Sequence, residues 1–284
     1  MKLFFSSTYF FLFCLLALAA SAADPCTAKA DLLDEIKKRG EIVIGTEARF
    51  PPFEFVENGK IVGYSADMLE LIMKDLPGVK VNRLDLPWQG ILPGLAAGKF
   101  DYVVTSVTAT RERYERYHMS LPIADATVAM LVKADSPYTT PESLAGATVG
   151  SQVGSAQLLA LRELSKRLES QGQKAVKDKE YVSFDEAYAD LAAGRLQGVS
   201  QSFPNLSDAV KKRPNLFRII TPPYGPPVYF SWAARKDAES ASLAAFFDAG
   251  LRKLNENGRM KALQEKWFGF VMDVPSDELP VPVQ

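Results

Sequence analysis

The sequence predicts an α/β protein built as two similar lobes, and three observations carry that expectation. Strand-like stretches rich in β-branched residues, such as EIVIGT (41–46) and FDYVVTS (100–106), alternate with stretches of helical apolar spacing, the order that gives a mostly parallel sheet. A helix–glycine–strand unit is written twice, as LAAGKFDYVVTS from Leu95 and as LAAGRLQGVSQS from Leu191. About 260 residues remain once an N-terminal leader is set aside, enough for two lobes of roughly 100–150 residues each.

The leader comes first. Lys2 precedes the apolar run YFFLFCLLALAA, and ASAAD supplies small residues for cleavage before Ala23 or Asp24. Residues 1–23 therefore read as a secretory signal peptide, which places the mature chain in the periplasm. Cys14 falls in the leader, so Cys26 is left alone and no internal disulfide framework is expected. No second apolar run approaches the roughly 20 residues of a membrane helix, so a soluble mature chain is expected. Basic and acidic residues number 33 and 34, a balance that argues against a nucleic-acid partner. The single histidine, His118, lies in the amphipathic stretch ERYERYHMS and reads as structural. Without a Cys/His cluster there is no basis for a metal site, and no cofactor is expected.

After the leader, DLLDEIKKRG reads as a short helix stopped by Gly40, and EIVIGT as a strand. PPFEF breaks the strand and ENGK turns. YSADMLELIMKDL sets Met68, Leu69, Ile72 and Leu76 on one helical face; VKVNRLDL is strand-like; PWQGILPGLAAGK is a helix opened by proline and closed at Gly98. FDYVVTS and ATVAMLVKA are strands. The pattern then begins again, with SLAGATVGSQVGSAQLLALRELSKRLESQG as strand, glycine turn and long helix, and SFDEAYADLAAGRLQGVSQS as helix, turn and strand. YFSWAAR is a late strand, followed by closing helices. In such sheets a ligand lies beyond the carboxyl ends of the strands. There TSVTATRER (105–113) places four hydroxyls and two arginines, a composition suited to holding a carboxylate.

Taken in order, GTEARFPPFEF, GKIVGYSADMLELI, WQGILPGLAAGKFD, TSVTATRER, LAGATVGSQVGS, LAAGRLQG and KWFG resemble the extracellular solute-binding proteins of polar amino-acid ABC importers, over nearly all of the mature chain. The resemblance implies a two-lobed periplasmic-binding-protein fold of type II, an α/β architecture with two mixed sheets flanked by helices and joined by two hinge crossovers. It implies a first lobe at 24–124 plus 233–284 and a second at 125–232, a monomer that captures an amino acid or related small carboxylate between them, and an ABC transporter permease as partner. It assigns Arg113 to the ligand carboxylate, assisted by Ser106 and Thr108. The planar guanidinium fork can pair with both carboxylate oxygens, which lysine cannot reproduce. Thr110 reads as the N-cap of the next helix, and Arg111 and Arg116 as solvated. Gly154, Ser155 and Ala156 fall at a helix N-terminus facing the cleft, where backbone N–H groups suit an anion. Ala156 stands where the family often has a hydroxyl. Phe50 and Trp88 take the cleft-facing aromatic positions, with Phe53 and Phe55 expected in the core. Glu47 matches an acidic position that contacts cationic side chains in relatives, and equally fits a surface strand end.

One position departs from the family. Ser202 stands where an aspartate usually binds the ligand's α-ammonium, with Gln201 before it and Phe203 after. Either the ligand lacks a standard α-amino group, or Glu47, Asp185 or another carboxylate replaces the aspartate. Tyr224 and Tyr229, in TPPYGPPVYF, are further candidates to reach the cleft. Periplasmic cyclohexadienyl dehydratases share this fold and need a catalytic acid just beyond position 202. Asn205 stands there, and an amide is no general acid, so a binder without catalytic residues is expected over an enzyme. A ligand sensor is the remaining alternative. With no span after DELPVPVQ, it would act through a separate membrane receptor.

Overall fold

A computed structural model of the chain describes Met1 and residues 31–282; the leader, Cys14 and Cys26 lie outside the described residues. Helix α1 (Leu32–Arg39) leads into strand β1 (Glu41–Thr46). Asp31 caps α1, accepting from the Asp34 N–H at 3.1 Å, and Gly40 ends it in the left-handed conformation. The segment expected only to break and turn forms a small antiparallel sheet, β2 (Arg49–Phe50), β3 (Glu54–Glu57) and β4 (Lys60–Val62). Its second turn is Asn58-Gly59, both at positive φ, the pairing that tight hairpins favour. Then follow α2 (Tyr64–Met73), β5 (Lys80–Asp85), α3 (Trp88–Ala96), β6 (Tyr102–Thr108), α4 (Arg111–Arg116), β7 (Tyr117–Met119) and β8 (Ala124–Asp125).

The second half runs β9 (Val128–Lys133), β10 (Thr148–Gln152), α5 (Ala156–Ser170), β11 (Lys177–Tyr181), α6 (Phe184–Ala192), β12 (Gly198–Ser202), α7 (Phe203–Lys212) and β13 (Phe217–Tyr224). β14 (Tyr229–Arg235), α8 (Ala241–Glu256) and α9 (Arg259–Phe268) complete the order. The first large sheet is β5-β1-β6-β14-β7, with β8 also on β14; the second is β11-β10-β12-β9-β13. In each, a central strand pairs parallel on both sides, β1 with β5 and β6, β10 with β11 and β12. Antiparallel strands then extend the sheet, β14 beside β6 and β9 beside β12. The two LAAG units thus feed equivalent strands, β6 and β12, of two equivalent mixed sheets.

The chain passes between the large sheets at 126–127 and again at 225–228. All of β14 pairs in the first sheet, so the second passage precedes the expected boundary at 232/233 by a few residues; Gly225, Pro226 and Pro227 mark it. Trp232, Tyr102, Phe247, Phe53 and Phe230 are fully buried and anchor the first core; full burial of a side chain of this size contributes roughly 1.5–3 kcal/mol. Phe53 is core as expected, but Phe55 is half-buried against Trp267, with the Lys212 ammonium 5.4 Å from its ring centre. Among the described residues no helix is long and apolar enough to cross a membrane.

Candidate functional site between the sheets

The carboxyl ends of β1, β6 and β10 converge where the two large sheets face each other. Thr110 caps α4, its Oγ1 accepting from the Arg113 N–H at 3.4 Å, and this sets Arg113 in the first turn. The half-buried Arg113 side chain turns back toward the second lobe. Nη1 donates to the Thr108 carbonyl at 3.0 Å and Nη2 to the Gly154 carbonyl at 3.1 Å, while the guanidinium lies 5.0 Å from the Trp88 ring centre. Among the described residues no carboxylate forms an ion pair with it. Burial pushes the guanidinium down to about 10, against the opposing pull of Glu112 and Tyr117. A desolvated cation held by two carbonyls and an aromatic face gains strongly from a carboxylate. Arg111 and Arg116 are exposed, as expected.

Gly154, Ser155 and Ala156 open α5 as expected. Ser155 Oγ accepts from the Leu158 N–H at 3.0 Å. Gly154 has φ +71, and a Cβ on it would come 3.7 Å from Trp88 Nε1, so this turn and Trp88 meet across the cleft. From the same helix, Gln157 Nε2 donates to Thr108 Oγ1 at 3.5 Å. Ala156, Thr108, Thr110, Leu159 and Pro226 help line a cavity of about 220 Å³ beside the second crossover.

Glu47 is not at the surface. It is 3% exposed, and Oε1 accepts from Gln152 Nε2 at 2.6 Å, a contact between the lobes; Gln152 Nε2 also donates to the Val182 carbonyl at 3.1 Å. Burial pushes the Glu47 carboxyl up to about 8; the Gln152 hydrogen bond opposes this and the charge of Glu54 adds to it. Phe50 is buried. Its ring centre lies 6.0 Å from Phe53, 5.7 Å from Phe230 and 5.9 Å from Phe184 on α6, so it joins the apolar cores of the two lobes. Trp88, also buried, is the aromatic that meets Arg113.

Ser106 is engaged by a residue the sequence reading passed over. Glu54 is fully buried; its Oε1 accepts from Thr105 Oγ1 at 2.7 Å and from the Ser106 N–H at 2.8 Å, and its Oε2 from Ser106 Oγ at 3.2 Å. Burial pushes Glu54 up to about 7 despite these donors and the nearby Arg83. The signal in the sequence was an acid inside PPFEF, at the centre of an apolar run.

Ser202 belongs to a different cluster. It is fully buried at the start of α7, its N–H donating to Gln201 Oε1 at 2.7 Å and its Oγ to Asn205 Oδ1 at 2.5 Å. Asn205 Nδ2 in turn donates to the Pro51 carbonyl at 2.8 Å, another contact between lobes. Asp185 lines a neighbouring hollow with Tyr188, Asn205 and Asp208. Tyr224 turns into the second core, its hydroxyl 2.5 Å from Ser200 Oγ. Tyr229 lines a surface hollow with residues 273–278. His118 Nε2 lies 2.8 Å from Asp248 Oδ2, in keeping with a structural role.

The comparisons agree with this architecture. The L-cystine-binding protein TcyJ of Escherichia coli (strain K12) is 28% identical over 256 residues, spanning 89% of this chain and 92% of that protein. Among solved structures, a mutant of ArgBP from T. maritima matches with a TM-score of 0.74 and 33% identity, covering 84% of this chain and 99% of that one. The ancestral amino acid-binding protein AncCDT-1, a precursor of cyclohexadienyl dehydratase, matches with a TM-score of 0.73 and 29% identity, covering 84% and 100%. The family model of the bacterial extracellular solute-binding proteins matches residues 42–270, and the chain belongs to that group, the bacterial extracellular solute-binding proteins, family 3.

Proposed function

We propose that this protein is a periplasmic solute-binding protein. It closes on an amino acid or related small carboxylate between its two lobes, which the chain joins at 126–127 and 225–228, and delivers it as a monomer to an ABC transporter permease. The observation that carries this reading is Arg113: a half-buried, partly desolvated guanidinium that touches both lobes and has no acidic ion-pair partner among the described residues. A carboxylate placed there links ligand capture to lobe closure. Glu47, buried at the neighbouring β1 end of the same interface, favours a ligand whose other end is cationic. Relatives named for L-cystine and L-arginine binding support the amino-acid class.

A thermal-shift screen over basic amino acids, opines, betaines and simple carboxylates tests this. A ligand at a hundredfold excess over Kd is expected to stabilise the fold by about 2.7 kcal/mol. No stabilisation by any carboxylate in the screen counts against the reading. Ligand binding is also expected to change Trp88 emission in a Trp232→Phe, Trp267→Phe background. Unchanged emission, with binding measured separately, removes Trp88 from the site.

The likeness to AncCDT-1 keeps a dehydratase as the second reading. Against it, the Asn205 amide donates to the Pro51 carbonyl and ties the lobes together; it supplies no acid. Chromatography after incubation with prephenate or arogenate is expected to return both unchanged, and turnover would establish the enzyme.

A further inference from the structure

We propose that the groove along the β7 edge of the first lobe is a docking site for an extended, proline-containing acidic chain, and that the protein's own C-terminal segment, 274–282, is its detachable occupant. The family match ends at residue 270, before this segment begins. None of the residues that line the groove is a candidate ligand residue of the site between the lobes.

The segment is held in an unusual way. Met272 is buried, and its N–H donates to Gln264 Oε1 at 2.9 Å. Beyond it the chain forms no helix or strand and, among the described residues, no backbone–backbone hydrogen bond. The Asp277 carbonyl accepts from Arg252 Nη2 at 3.4 Å. From Ser276 onward the burial has a period of three. Ser276, Leu279 and Pro282 are covered, wholly or in part, while Asp277, Glu278, Pro280 and Val281 are exposed. A strand would alternate with period two and an α-helix with 3.6. Three residues per turn, without internal hydrogen bonds, is the pattern of polyproline II.

Chains of that form dock into grooves lined by aromatic side chains. Leu279 packs on the apolar cluster that holds Tyr117 and Met119. Residues 278–281 share a cavity of about 340 Å³ with Tyr114, Tyr117, His118 and Lys236. Lys236 Nζ donates to the Tyr114 carbonyl at 3.0 Å and lies 5.4 Å from that ring's centre, so cation and ring stand on one wall. This sets a positive charge beside the acidic pair Asp277-Glu278, the complementarity that orients a docked chain. The cavity has room for several waters, so the occupant does not fill its groove. Attachment rests on Leu279 and Pro282 rather than on a ladder, which marks a segment that opens locally. Its departure uncovers β7, the last strand of the first sheet, and an open edge accepts another extended chain.

The test adds a fluorescein-labelled peptide, VPSDELPVP (residues 274–282), to the full chain and reads its anisotropy. Leu279→Asp is expected to free the chain's own segment by setting a charge against the apolar cluster, so this variant binds the peptide. The wild type is expected to bind it at least about tenfold more weakly, because its tethered segment competes at an effective concentration of order millimolar. A peptide that itself carries Leu279→Asp is expected not to bind, and Lys236→Glu in the Leu279→Asp chain to weaken binding by about threefold or more. Circular dichroism checks folding. If Leu279→Asp does not fold, Leu279→Ser carries the comparison; failure of both to fold makes the segment part of the core and overturns the inference. A folded variant that ignores the peptide, or a wild type that binds it equally well, overturns it too. Light scattering is expected to give a monomer mass for wild type and variant alike. A wild-type dimer that Leu279→Asp abolishes would put a second copy's segment in the groove and overturn the assignment to the chain's own.

Discussion

Replacing Arg113 by alanine is expected to weaken binding of a carboxylate ligand by roughly 2–5 kcal/mol, the range for breaking a desolvated charge pair. The loss has two sources: the ligand anion keeps its burial cost without its partner, and the guanidinium's bridge to Gly154 disappears from the closed arrangement. Arg113→Lys is expected to recover only part, because an ammonium cannot form the two parallel bonds of the fork or lie flat against Trp88. Titration calorimetry decides the matter. Near wild-type affinity in Arg113→Ala would take this residue out of the site and leave its burial without a function.

The second large effect concerns pH and Glu47. Its carboxyl is raised to about 8 in the folded protein, above the usual carboxylate range of the unfolded chain. The folded state therefore holds a proton that the unfolded state releases, and stability falls as pH rises between the two values. The stabilisation is complete below the unfolded pKa and lost as pH passes through about 8. Denaturant titrations are expected to show wild type losing roughly 2 kcal/mol or more, relative to Glu47→Gln, between pH 5 and pH 8.5. A cationic ligand group reverses the preference by drawing Glu47 into its charged form. Affinity for L-arginine should then rise with pH by up to about tenfold per unit below pH 8, an increase missing in Glu47→Gln. A wild type and variant with parallel pH profiles in both measurements would show that Glu47 does not titrate in this range.

Local patterns were legible in the sequence; relations across the cleft were not. Gly40 as a helix stop, Thr110 as a cap and the two LAAG units as paired helix–strand turns depend on neighbours a few residues apart, and each stands where the spacing put it. The family resemblance could single out Arg113 because the motif that carries it, TSVTATRER, is contiguous. Glu54, Gln152 and Gln157 could not, since their partners Ser106, Glu47 and Thr108 are brought to them only by the tertiary fold. Phe50 shows the same limit. Nothing in EARFPPFEF reveals that Phe184 will close over it from the other lobe. The alternation expected of a strand also gave no sign that Ser202, at the end of β12, would spend its hydroxyl on its own helix.

The position of β14 has a consequence for the order in which this molecule can come into being. The second sheet draws all five of its strands from one uninterrupted run, 128–224, and has every partner it needs once that run exists. The first sheet does not. Its strand β6 lacks its antiparallel neighbour until Tyr229–Arg235 arrives, and Thr108 is paired only when Phe230 reaches it. Contacts so distant in sequence form late, because a long loop must close before they reward the chain. During synthesis the inserted lobe can therefore organise while the lobe that surrounds it is still open at its centre. The edge strand left waiting is the one that carries the hydroxyl row, Thr105 to Thr108.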